Sequence, residues 1–369
     1  MSGFQIEIQL IAILTAVACA LPGVFLVLRR MAMMSDAISH TVLLGIVLGF
    51  FLVGDLASPL LIFGAALMGV VTVSLVALLE RTRLVKEDAA IGLVFPALFS
   101  IAVILISRYA GNVHLDVDAV LVGEIALAPF DRLFLFERDL GPRGLYLMGG
   151  ILIFTLLFIS VFYKELKLTT FDAGLAAALG FAPALLHYAL MALISITVVG
   201  AFDIVGSILV VALIIAPPAT AYLLTDKLAH MLGLSALLGA ASAFFGYWLA
   251  HFLDASIAGS MATMTGVIFG IVFLVAPERG MLAIMRRRAR QRWEFAQTML
   301  AIHLYNHEGK PEALEENRVE HLSGHMRWEP DFAGQVLHRA VNNQLVLRVN
   351  NHLELTESGR LRAQQALTR

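Results

Sequence analysis

A chain of 369 residues that is 59% hydrophobic and only 15% charged, with a mean hydropathy of +0.83, has too little polar surface for a soluble globular protein. The formal net charge of −2 excludes a strongly basic chain, and it hides an asymmetry: charges are isolated up to about residue 280 and dense after Arg286. A single cysteine, Cys19, excludes a disulfide framework within one chain.

Nine apolar runs of spanning length are predicted, at 8–28, 36–54, 58–79, 90–108, 145–163, 183–200, 203–224, 229–251 and 257–276. The first begins at Glu7 rather than a basic segment and is expected to remain as a span instead of a cleaved signal. The second opens on Met34-Ser35-Asp36-Ala37-Ile38-Ser39-His40. Asp36 and His40 are four residues apart, which places both on one face of a helix. A carboxylate and an imidazole in a bilayer are costly and mark an ion or substrate path. Oxygen and nitrogen donors together suit a divalent first-row metal without choosing among such ions. The competing reading is that Ser35 or Asp36 caps the helix and His40 is satisfied within the first turn.

Small residues recur within the runs, as Gly45 and Gly49, Ala65-Ala66, Gly69, Gly233, Gly239 and Gly266-x-x-x-Gly270, and predict close helix approach. Pro96, Gly206 and Pro217-Pro218 interrupt apolar runs and predict bends. Between the fourth and fifth runs, Leu115 to Glu124 is too short to span and reads as an outer or re-entrant helix. Its Asp116, Asp118 and Glu124 would attract cations there, or simply lie in a solvated loop. After the fifth run, Thr170 is expected to cap a short helix that ends at Gly180. Such a helix between spans either docks a partner or serves only as a connector.

Basic residues at Arg29-Arg30, Arg81 to Lys86, Lys164 to Lys167, Lys227 and Arg286 to Arg292 follow alternate spans. The positive-inside rule puts all of them in the cytoplasm, with the N-terminus outside and the C-terminus inside. Arg108, Arg132, Arg138 and Arg143 fall on the outer side, where nearby acidic residues balance them.

Beyond the spans, Arg286 to Arg290 is a basic cluster suited to lipid headgroups. Helices are predicted at about 290–306, 313–325 and 330–343, followed by strands 345–348 and 352–355 around Asn350-Asn351 and a last helix from Thr356. That order predicts a winged helix. From Glu294 onward there are eight Lys/Arg against ten Asp/Glu, and Glu329 and Asp331 start the presumed recognition helix, which argues against DNA binding. His303/His307 and His321/His325 are spaced for metal, and His338 lies nearby, but solvent-exposed histidines are common. A protein-contact or regulatory module is the reading adopted.

Three stretches carry a family resemblance: Val27-Leu28-Arg29-Arg30 through Asp36 to His40, Phe171-Asp172 through Gly180, and Val199-Gly200 through Pro217-Pro218 to Ala221. They resemble the membrane permeases of ABC importers for manganese, zinc and iron chelates. The resemblance implies an all-α polytopic fold similar to the membrane domain of the vitamin B12 importer, in a transmembrane domain of residues 1–285. Residues 286–369 add a small winged-helix-like α+β domain, whose 353–362 stretch resembles metal-responsive, diphtheria-toxin-repressor-type regulators. It implies a permease dimer, identical or mixed, with cytoplasmic ATP-binding subunits, an extracytoplasmic metal-binding protein and a bacterial cytoplasmic membrane around it. Asp36 and His40 match the family's metal ligands; Phe171, Asp172 and Gly180 match its ATPase-coupling helix. Ala119 stands where some members carry a histidine.

No G-x-x-x-x-G-K-[ST] phosphate loop occurs, since Gly309-Lys310 is followed by Pro311. The chain is therefore expected to be a transport subunit without its own ATPase or any permanent cofactor, the metal being its substrate. The rival is a self-contained metal transporter driven by an ion gradient.

Overall fold

The computed structural model describes residues 3–54, 58–109, 125–135, 138–311, 313–319, 324 and 326–368. The chain divides into two compact units, Met1–Gly280 and Met281–Arg369.

The first unit is a bundle of long apolar helices: α1 (Gly3–Leu28), α2 (Met33–Val53), α3 (Pro59–Arg81), α4 (Glu87–Tyr109), α5 (Arg143–Val161), α8 (Pro183–Leu224), α9 (Leu228–Leu253) and α10 (Ile257–Val275). An antiparallel hairpin, β1 (Arg132–Leu135) and β2 (Arg138–Pro142), precedes α5. Two short helices, α6 (Tyr163–Phe171) and α7 (Ala173–Ala178), precede α8. The hairpin was not foreseen, and the Leu115–Glu124 helix lies outside the described residues.

Among the described residues eight helices are long and apolar enough to cross a membrane. One of them, α8, is about twice the usual length. A straight helix of 42 residues would be about 63 Å long, twice the hydrocarbon thickness of about 30 Å. Gly206 breaks α8 with φ 77° and ψ 163°, a region that essentially only glycine adopts. His187, near the start of α8, meets Arg29 just beyond α1, while Ile214 and Pro218 of the second half lie against Gly23 near that same end of α1. Ile204, beside the break, instead packs over Gly144 at the start of α5. Both ends of α8 thus lie at one end of the bundle and Gly206 at the other. The two runs expected at 183–200 and 203–224 thus share one element, which turns at Gly206.

Helices in a lipid setting gain nothing from hiding apolar surface from one another, so they associate through close packing and hydrogen bonds. A Cβ on Gly45 would lie 2.4 Å from the Gly64 carbonyl oxygen, so α2 and α3 meet backbone to backbone. Thr72 donates to Thr41 at 2.8 Å across this contact, and Ser195 of α8 donates to the Ala66 carbonyl at 2.9 Å. Each such bond is worth about 0.6 kcal/mol. Gly233, Gly266 and Gly270 do not share this role, because nothing lies within 4 Å of where their Cβ would be. Helix α4 continues through Pro96, so that residue does not end it.

The second unit contains α11 (Met281–His307), α12 (Ala313–Glu316), α13 (Pro330–Asn342), the hairpin β3 (Val346–Val349) and β4 (His352–Leu355), and α14 (Glu357–Leu367). The basic cluster Arg286 to Arg290 is part of α11. Ala296, Leu300, Ala301 and Leu304 line one face of α11 and bury against Val336 and Leu337 of α13 and Val346 and Leu353 of the hairpin. Asn350, at φ 57°, makes the two-residue turn between the strands, as a tight hairpin requires. Thr356 caps α14 by accepting from the Gly359 amide.

Candidate functional site

Asp36 and His40 sit in the first two turns of α2, with His40 Nε2 3.5 Å from Asp36 Oδ1. The capping alternative does not describe this helix end. The N-cap position is Ala32, which offers no side-chain bond, and Asp36 is the fourth helical residue. The neighbouring hydroxyls are spent locally: Ser35 donates to the Ala32 carbonyl and Ser39 to the Asp36 carbonyl. His40 is wedged against α4, its ring centroid 5.2 Å from Phe95 and 5.9 Å from Phe99. Ser35 and Ser39 are buried, yet the side chains of Asp36 and His40 keep 37% and 27% exposure. A carboxylate and an imidazole are therefore held together on a face that this chain leaves open. Their chemistry is that of a partial ligand set for a hard-to-borderline divalent cation.

The helix expected from a Thr170 cap to Gly180 is α7, but its cap is Asp172, and a second helix, α6, runs up to Phe171. Asp172, at φ −150° and ψ 90°, ends α6 and caps α7 by accepting from the Leu175 amide at 2.8 Å. Phe181 donates to the Ala176 carbonyl and Gly180 to that of Ala177, a paired closure that needs the left-handed backbone of Gly180 at φ 87°. Around this frame Phe171, Leu175 and Leu179 stand exposed, at 61%, 48% and 61%. Thr170 is used elsewhere: it accepts from Arg29 Nε at 3.2 Å.

Arg29, which the sequence shows as part of a topogenic basic pair and of the first family stretch, has a structural role that sequence reasoning missed. It also donates to Thr169 Oγ1 at 3.2 Å and lies 3.3 Å from His187 Nδ1. A guanidinium can only donate, so that ring nitrogen accepts and the His187 proton resides on Nε2. Burial lowers the Arg29 pKa, though an arginine stays charged. The segment leading into α2, the α6–α7 pair and the start of α8 are thereby joined through one side chain. The available signal was positional: Arg29 lies seven residues before Asp36, and His187 is an ionisable group at the start of an apolar run.

At the opposite end, Arg132 bridges Glu7 of α1 at 3.5 Å and Asp139 of β2 at 2.5 Å. The Arg132 bond, with help from the Gly141 amide, holds the Asp139 carboxyl below its usual range. The expected charge balance on this side is realised for that arginine. Asp116, Asp118, Ala119 and Glu124 lie outside the described residues, as do His321 and His325. His338 is hydrogen-bonded to Asn342 at 3.2 Å. His303 and His307 face each other on α11 with ring centroids 4.8 Å apart.

Residues 2–276 match the model of the ABC 3 transport family. The zinc transport system membrane protein TroD of Treponema pallidum is 49% identical over 361 residues, covering 98% of each chain, so the likeness runs through the second unit. The manganese transport system membrane protein MntD of Bacillus subtilis is 48% identical over 279 residues, 76% of this chain and 94% of that one. Among solved structures, PsaBC from Streptococcus pneumoniae in complex with Fab aligns with a TM-score of 0.64 at 29% identity, over 77% of this chain and 96% of that chain.

Proposed function

The chain belongs to the ABC 3 transport family, and we propose that it is the permease subunit of an ATP-driven importer for a divalent transition metal, zinc or manganese. The two relatives above are named for those ions; neither is named for iron. The observation that carries the reading is the Asp36–His40 pair, two donors 3.5 Å apart on an open face of a membrane helix. In a dimer, two such faces would bring together two carboxylates and two imidazoles along the path of the ion. An extracytoplasmic metal-binding protein would deliver it.

ATP hydrolysis belongs to a separate ATP-binding subunit, in keeping with the missing phosphate loop. The α6–α7 segment is its docking element: Phe171, Leu175 and Leu179 present apolar surface on a frame fixed by Asp172 and Gly180. That placement puts the end of the bundle bearing Arg29 in the cytoplasm, with the N-terminus outside and the second unit inside. The second unit is read as a winged-helix-like module for protein contact rather than DNA. Its presumed recognition helix, α13, starts with Glu329 and Asp331, and Arg339 on it lies over the Trp293 ring at 4.1 Å instead of standing free for phosphate.

The test is uptake of labelled Zn²⁺ and Mn²⁺ by proteoliposomes holding the chain with its ATP-binding partner. Uptake that needs both the partner and ATP is expected. Uptake by this chain alone under an ion gradient would overturn the assignment.

A further inference from the structure

We propose that the second unit carries its own divalent-metal site, made by His303, His307 and Glu316. His303 and His307 lie one turn apart on α11, and Glu316 comes from α12 beyond the turn at Gly309. One donor atom from each of the three lies within 4.8 Å of the others. All three residues are partly buried, and among the described residues the Nδ1 of His307 is buried with no hydrogen-bond partner. Two histidines at i, i+4 on one helix face are the spacing with which a helix binds zinc, and a carboxylate from another element completes a three-ligand set. Donors on a single zinc sit about 2.0–2.1 Å from it, a distance that small side-chain rotations within this cluster can meet.

The donor chemistry sets the selectivity. Two imidazoles and one carboxylate favour Zn²⁺ over Mn²⁺, following the general order of first-row affinities. The site's position ties the end of α11 to α12 and so closes the Glu308–Pro311 connection. The second unit would thereby respond to an ion of the class the permease is proposed to carry. The site itself does not depend on that reading.

The experiment is equilibrium dialysis of the purified full chain against Zn²⁺ and Mn²⁺, with the metal per chain measured. Wild type should bind one more zinc per chain than the His303→Ala/His307→Ala variant. Glu316→Gln, which keeps shape and serves where the double substitution impairs folding, should weaken that zinc at least about tenfold. Asp36→Asn should leave it in place, which separates this site from the transport pair. Mn²⁺ should bind there more weakly than Zn²⁺. Wild-type zinc stoichiometry and affinity in Glu316→Gln, or in a folded double variant, would overturn the proposal.

Discussion

Arg29 reaches Thr170 across 141 positions of sequence, its Nε donating to the threonine hydroxyl at 3.2 Å. Through this bond the proposed docking segment α6–α7 is tied to the short turn that leads into α2, where Asp36 and His40 stand. Arg29 itself lies seven residues before Asp36, so movement of the proposed docking segment would be felt at the turn leading to the proposed metal ligands. Arg29→Ala removes a partly buried donor from Thr169, Thr170 and His187 and should cost about 2–3 kcal/mol locally, since bonds to charged groups are the stronger kind. Arg29→Lys keeps the charge but not the fork, and should retain folding while losing part of the coupling. The check pairs hydrogen exchange over 163–178 with the ratio of metal moved to ATP hydrolysed. An unchanged ratio in both variants would show that the tie is only structural.

Phe171 and Asp172 are adjacent but have separable tasks. Asp172→Ala should destabilise α7 by about 1 kcal/mol through loss of its cap, whereas Asp172→Asn should be nearly silent because Asn caps as well. Phe171→Ala leaves the helices intact and removes an exposed apolar anchor, so it should weaken ATPase association about tenfold or more. Pull-down of the ATP-binding subunit with each variant distinguishes these effects. Equal loss in Asp172→Asn and Phe171→Ala would contradict the division.

Gly206 should accept no side chain. At φ 77° and ψ 163° any substitution forces an L residue into a region costing about 1–3 kcal/mol. Gly206→Ala is therefore expected to lower the thermal midpoint of the detergent-solubilised chain and its yield in membranes. Gly266→Ala is the control, because open space surrounds that position. Equal midpoints for the two variants would remove the reversal at Gly206.

What could be read from the sequence follows from what each signal depends on. The spans were legible because length and apolarity alone decide them, and the two runs 183–200 and 203–224 already implied a break near Gly206. The cap of α7 was not, because Thr170 and Asp172 are both good caps and only backbone angles choose between them. The hairpin at Arg132–Pro142 escaped notice because Arg-Leu-Phe-Leu and Arg-Asp-Leu-Gly-Pro lack strict alternation and the second contains both Gly and Pro. In the proposed metal cluster of the second unit, the i, i+4 histidines were visible, whereas Glu316 joins them only through the turn at Gly309.

The open pair on α2 gives the most direct test. Asp36→Asn keeps the shape of the side chain and removes its charge, and no cap is lost because Ala32 holds that position. A structural role would therefore leave the variant near wild type. A ligand role predicts the reverse: the ion has shed part of its hydration shell in a low-dielectric setting, and an amide oxygen replaces a carboxylate poorly. Uptake should fall by at least about tenfold, the scale at which even indirect partners of a metal act. His40→Ala would also empty the contacts with Phe95 and Phe99, so His40→Gln is the cleaner companion, retaining bulk while removing the imidazole. Both variants are to be compared at equal membrane abundance and equal basal ATP hydrolysis, with labelled Zn²⁺ and Mn²⁺ as cargo. Wild-type uptake in Asp36→Asn under those conditions would leave Asp36 a structural residue and take the proposed path for the ion with it.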